Sequence, residues 1–411
     1  MKVLIISYFF TPSSCANSKR PYYITKGLLD EGWDVDVIAS YRLMPKERTE
    51  SIQHSNLKIQ RIEDPYDVLE QKMKNQFWKL FLAGLRGLLW PDTYTLWALK
   101  ILRKINTKKY DRIFICIMPI SMILFSLFKK VSSKWIFDYS ESFSPSKPVQ
   151  RKSPVPYILR PILTKLQRMV LSRAGSVLFT SEATRQEYLK QKLVGANKAI
   201  HIPLFYNKTD FKGSPPPKDQ FVIGYMGKFG DYQKVRSPDV FFKALNIFLK
   251  RIPKARQSMK FVFHGRWNSI HTHLISQYKL EDVVEIHPSV PHKRYLELLE
   301  ESSVLLLVAS PEQNLMVPSK MLDYFGAKRP ILAFIPFESE TYSMMKNAKM
   351  EEFSSKENDA ESGAQCLELL WNNWLAKTPN YKNSHTEQWS FSFQMPRILN
   401  VLTDKKSKDH A

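Results

Sequence analysis

Short, wholly apolar runs alternate along the chain with longer stretches whose apolar residues recur every three or four places. Val3 to Ser7 reads as a strand, followed by a loop through Thr11, Pro12, Ser13 and Ser14. A helix is predicted from near Ser18 to Gly32, and a second strand at Val35 to Ile38. This is a β-α-β unit, and its apolar first strand suits a parallel sheet covered on both faces. Strands of the same kind are predicted at Arg112 to Ile117, Lys134 to Asp138, Ser176 to Thr180 and Ile200 to Pro203.

A polar, Pro-rich stretch from Lys212 to Asp219 interrupts the alternation and has the composition of a semi-rigid linker. The pattern restarts at Phe221 to Gly227. It continues into a helix announced by Ser237, Pro238 and Asp239, whose Phe241, Ala244, Leu245, Phe248, Leu249 and Ile252 form one apolar face. Further strands are predicted at Lys260 to His264, Val283 to His287, Val304 to Ala309 and Pro330 to Ile335. The expected organisation is an α/β chain of two Rossmann-like β/α/β domains, 1–211 and 220–380, joined by a linker at 212–219. A C-terminal helix within 381–411 is expected to pack back toward the first domain. Ligands of such sheets bind outside the carboxyl ends of the strands, which makes a central cleft between the domains the expected site.

Composition narrows the chemistry. With 44% hydrophobic and 24% charged residues, the 411-residue chain is neither disordered nor a multi-span membrane protein. Sixty-one Lys and Arg against 39 Asp and Glu leave +22, a field that favours nucleic acid, acidic lipid or phosphorylated small molecules. No RNA-recognition, zinc-finger or basic-zipper pattern accompanies that charge, so a nucleic-acid partner is not expected. Cys15, Cys116 and Cys366 are few and scattered, which implies a reducing compartment, no disulfide framework and no metal site. The apolar run Val3 to Phe10 lacks a cleavage pattern, and no spanning segment is evident, so a cytoplasmic protein is expected.

Several spaced segments together carry a family likeness. Val317 to Leu332 reads V-P-S-K-M-L-D-Y-F-G-A-K-R-P-I-L. It resembles the donor-binding element P-S-K-x-x-E-Y-x-A-x-x-P-(I/V)-L of the family-4 retaining glycosyltransferases, which have the GT-B fold and move a sugar from a nucleotide donor to an acceptor. Gly224 to Lys228, the strand end at His264 and Gly265, and Phe137 to Phe143 with its acids Asp138 and Glu141 support the resemblance. So does the opening strand and loop, although that loop, Pro12 to Ser18, lacks the glycines usual in relatives.

The main segment has a chemistry of its own. Pro318 and Ser319 favour a helix start, where free N–H groups and the positive dipole end attract phosphate. Lys320 adds a cation, and Asp323, where the family usually has Glu, is spaced to accept hydrogen bonds from ribose hydroxyls. Gly227 permits close backbone approach, and the resemblance places Lys228 and Arg236 against the leaving diphosphate, with Lys234 a neighbouring candidate. His264, at a strand end beside Gly265, is a candidate for approaching the nucleotide or else a structural residue. Relatives carry two glutamates separated by seven residues; Leu315 occupies the first place here, and the nearest acid, Glu312, is a loop candidate for contacting the donor sugar. Asp138 and Glu141 either orient and deprotonate the acceptor hydroxyl or cap local structure.

The resemblance implies transfer of a hexose-type residue with retention, a nucleotide diphosphate sugar as donor, a glycan or lipid-linked acceptor, and neither cofactor nor metal. A catalytically silent scaffold of the same fold is the alternative. The segment 77–104, rich in Trp, Leu and basic residues, reads either as an interfacial helix meeting anionic lipid at the cytoplasmic membrane face or as part of the first domain's core.

Overall fold

The computed structural model describes all residues except 14, 46–49, 74, 78–83, 85–88, 103, 124–128, 141–158, 231–236, 312–316, 378–384 and 405–411. The chain divides into two compact units, residues Met1–Leu204 with Gln394–Ala411, and residues Phe205–Phe393. The predicted linker does not lie free between them. It is fixed along the second unit: the buried Glu300 carboxylate accepts from the backbone N–H groups of Lys212, Gly213 and Ser214. The indole of Trp374 donates to the Pro217 carbonyl at 2.9 Å.

The first unit holds seven parallel strands: β1 Lys2–Ile6, β2 Asp34–Ala39, β3 Leu57–Arg61, β4 Arg112–Cys116, β5 Trp135–Tyr139, β6 Ser176–Phe179 and β7 Ala199–His201. Their order is β3-β2-β1-β4-β5-β6-β7. The central strands are buried along nearly their whole length, as their unbroken apolar runs require. β3, absent from the predicted set, alternates half-buried and exposed positions at the sheet edge. Its Lys58, Gln60 and Arg61 interrupt the apolar signal.

The helix Thr95–Leu102 decides part of the 77–104 question. Trp97, Ala98 and Ile101 are fully buried, and the Trp97 indole donates to the Ile62 carbonyl at 2.8 Å while meeting the Tyr8 ring edge-on. Asp92 is buried as well, accepting from the N–H groups of Tyr94 and Ser121. This half of the segment is core, not interface. Residues 78–83 and 85–88 lie outside the described residues.

The second unit repeats the plan with β8 Phe221–Gly227, β9 Met259–Gly265, β10 Val284–His287, β11 Val304–Val308, β12 Ile331–Phe334 and the two-residue β13 Ser354–Ser355. The order is β10-β9-β8-β11-β12-β13, again parallel. The amphipathic helix Asp239–Arg251 buries Phe241, Phe242, Ala244, Leu245, Phe248 and Leu249, each of the large side chains contributing about 1.5–3 kcal/mol. Helix Ala360–Leu375 packs against it through Gly363, where a Cβ would stand 2.4 Å from the Phe334 ring and 3.1 Å from the Ala244 Cβ. In this sheet the chain runs outward from β8 through β9 to β10 and then crosses back to β11, so the strand order reverses between β8 and β11. That is the topological switch point, outside whose carboxyl edge ligands of open α/β sheets bind.

Candidate functional site

β8 and β9 end side by side in the glycines Gly227 and Gly265. Both have positive φ, +141° and +151°. A Cβ on Gly265 would lie 1.8 Å from the Gly227 carbonyl oxygen, so the strand ends touch only because that side chain is missing. The Arg266 N–H donates to the same oxygen at 3.1 Å.

The helix Ser319–Ala327 starts at the switch point, after β11. Pro318 stands at its N-cap, no side chain caps it, and its first turn holds no acid. A helix start selected for stability alone would carry Asp or Glu there; this one carries Lys320, a cation at the positive end of the dipole, an unfavourable pairing of about 0.3–1 kcal/mol. The Lys320 ammonium lies 3.7 Å from the Tyr225 ring centroid and 3.1 Å from where a Gly227 Cβ would be. Ser319 is exposed and Lys320 half-buried, so the positive potential faces outward. The C-terminal end of the helix is held rigidly: Lys328 adopts the left-handed conformation, and the buried Arg329 guanidinium donates to the carbonyls of Ser302, Ala327 and Ser214.

Around this centre the structure collects further predicted residues. Lys228 follows Gly227, and its carbonyl accepts the Tyr225 hydroxyl at 3.0 Å. Asp323, one turn into the helix and half-buried, receives the Tyr295 hydroxyl at 2.8 Å. Burial first, and then the Asp323 charge, push the Tyr295 hydroxyl well above its usual range, so it stays a donor. His264 stacks on His287 of the neighbouring strand, with centroids 4.6 Å apart. Burial, followed by the His287 charge, holds His264 below the ordinary histidine value, and its Nδ1 is buried without a hydrogen-bond partner.

Of the predicted residues, Glu141, Arg236 with its neighbouring candidate Lys234, and Glu312 lie outside the described residues. Asp138 is described, and its surroundings favour the structural one of the two roles expected for it. It is fully buried in the first unit, and both its oxygens are taken by Arg20, with Nε at 3.1 and 3.0 Å and Nη2 at 2.9 Å. Arg20 itself is buried and spends Nη1 on the Pro203 carbonyl at 2.9 Å. A carboxylate clamped in this way is engaged as the ion-pair partner of Arg20. The sequence reading also missed Tyr225, Tyr295 and His287. Of these only Tyr225 had a local signal, two places before Gly227 in the segment already singled out. Among the described residues no group of three or more His, Cys, Asp or Glu could hold a metal ion. No described helix is long and apolar enough to cross a membrane.

These two parallel-sheet units, with a cationic helix start at the switch point of the second, define the chain as a GT-B fold. Solved structures of that class match it nearly end to end. Sucrose-phosphate synthase from Thermosynechococcus elongatus is 15% identical, with 98% of this chain and 99% of that one covered and a TM-score of 0.65. A trehalose-6-phosphate protein from E. coli, solved with UDP-2-fluoro glucose bound, is 13% identical over 98% and 99% of the two chains, with a TM-score of 0.63. WaaG, a glycosyltransferase involved in lipopolysaccharide biosynthesis, is 11% identical over the same shares, with a TM-score of 0.63. At such identity the likeness is one of fold. No family model and no curated protein sequence matches the chain.

Proposed function

We propose that the protein is a glycosyltransferase that takes a hexose-type residue from a nucleotide diphosphate sugar and passes it to a glycan or lipid-linked acceptor with retained configuration. The observation that carries this reading is the placement of the Lys320 ammonium beside Gly227 at an uncapped helix start. Breaking the bond between sugar and diphosphate puts new negative charge on the leaving phosphate. Fixed positive charge and backbone N–H groups aimed at that position are the largest aid an enzyme can give such a step. The helix start and Lys320 supply them here, with Lys228 and Arg236 as further cations, and Asp323 offers carboxylate oxygen to the ribose hydroxyls. His264, held neutral, suits the nucleotide side, and Glu312 the donor sugar. With Asp138 engaged by Arg20, the acceptor proton passes to the departing phosphate or to Glu141.

The names of the similar structures lend support through UDP-2-fluoro glucose in one and lipopolysaccharide biosynthesis in another. The charge of +22 favours the anionic inner face of a membrane, where a lipid-linked acceptor would be met. The test is a binding screen of nucleotide diphosphate sugars repeated with Lys320→Ala. The reading expects at least one to bind the wild type and to lose affinity in the variant; no binding at all, or equal binding, overturns it. Binding without hydrolysis or transfer would mark the silent scaffold instead.

A further inference from the structure

We infer that Tyr225 is the positioning residue that holds the Lys320 ammonium ready for a diphosphate, an assignment that rests on the donor-site reading above. Tyr225 lies on β8 two residues before Gly227, its side chain 1% exposed. The Phe229 ring stacks on it at 4.1 Å and 7°, and Phe263 of β9 lies nearly parallel at 5.8 Å. The hydroxyl is tied to the Lys228 carbonyl. These contacts define the plane of the ring, and Lys320 Nζ sits 3.7 Å from its centroid.

Two consequences follow from the chemistry of that contact. Lysine carries its charge on a flexible four-carbon stem, and ordering the stem on binding would subtract from affinity; a ring that orders it beforehand removes that loss. An aromatic face also attracts an ammonium through its quadrupole without neutralising it, whereas a carboxylate in the same place would compete with the phosphate. Tyr225 thus supplies orientation without itself neutralising the positive charge.

The experiment has two arms. In the first, lysines are reductively methylated with ¹³C, which keeps their charge, and the Lys320 signal is assigned with Lys320→Arg. Its methyl resonance is expected upfield of the other lysines from the Tyr225 ring current, unchanged in Tyr225→Phe and relieved in Tyr225→Leu. A wild-type Lys320 signal among those of the exposed lysines overturns the inference and says nothing against the donor site. In the second, UDP, GDP, ADP and dTDP are titrated calorimetrically beside their monophosphates. Tyr225→Leu is expected to reduce the preference for diphosphate about 3- to 20-fold, the range of a partly desolvated cation–π contact. Tyr225→Phe is expected to retain the preference, and Lys320→Met combined with Tyr225→Leu to lose no more than Lys320→Met alone. If Lys320→Met abolishes the preference while Tyr225→Leu keeps it, the positioning role is refuted and the donor site stands. If Lys320→Met itself changes nothing, the donor-site reading falls and this inference with it.

Discussion

The buried pair of Arg20 and Asp138 yields the sharpest prediction about the first unit. Replacing Asp138 by Ala takes away the carboxylate that three hydrogen bonds tie to a guanidinium only 4% exposed. Removing one partner of a buried ion pair destabilises by about 3–5 kcal/mol, because the surviving charge keeps its desolvation penalty. For a unit of this size, roughly 2–4 °C is lost per kcal/mol, so its melting transition should fall by about 6–20 °C. Replacing both partners, Arg20→Met with Asp138→Leu, removes both charges together. Most of the loss should return, less about 1–3 kcal/mol for the Pro203 carbonyl left unpaired. Calorimetric melting of the two variants tests the stability claim. Hydrolysis of whichever nucleotide sugar the wild type turns over tests the functional one, since a structural Asp138 leaves the refolded double variant active. The reasoning is refuted if Asp138→Ala melts with the wild type, or if the double variant is as stable as expected yet inert, which would return Asp138 to the chemistry.

Gly265→Ala forces a Cβ to within 1.8 Å of a carbonyl oxygen at positive φ, and it should destabilise the second unit by about 2–4 kcal/mol in chemical denaturation; Gly32→Ala, also at positive φ (+74°) but with nothing within 4 Å, should lose less. His264 should titrate below 6.5 by NMR, and His287→Asn should move it upward, since burial first and His287 second lower it. A depressed folded value means that its contribution to stability is present above the free-imidazole range and disappears as pH falls through the folded value. Under native conditions near neutral pH, a thiol reagent should modify Cys15 first: burial pushes Cys366 up to about 11 and raises Cys116 as well, leaving both poor nucleophiles until the chain is unfolded.

Strands whose neighbours bury both faces announced themselves as unbroken apolar runs, and β8, β11 and β12 stand within a residue or two of their predicted bounds. β3 and β13 did not, because an edge strand with charged alternate positions and a two-residue strand of serine carry no such run. The helix start at Ser319 was legible because Pro318 and Ser319 signal it locally. What lay across the chain was not: Arg20 and Asp138 are 118 positions apart, and nothing in either neighbourhood names the other. Trp97 illustrates the same limit in reverse. Its aromatic surroundings fit an interface or a core equally well, and only the packing against Tyr8 and the Ile62 carbonyl separates the two. Glu300, likewise, gives no sign in the sequence that it will tie down a Pro-rich stretch beginning at Lys212.

A diphosphate held as proposed would lie against Gly227 and Gly265, and glycine amides report such contact directly. The sequence holds 13 glycines, and with selective ¹⁵N labelling their amide signals can be followed as a bound nucleotide diphosphate sugar is titrated in. Gly227 and Gly265 should shift most, with Gly32 and Gly213 unmoved. Saturation with both site signals stationary, or with the largest shift at a glycine elsewhere, would contradict the claim.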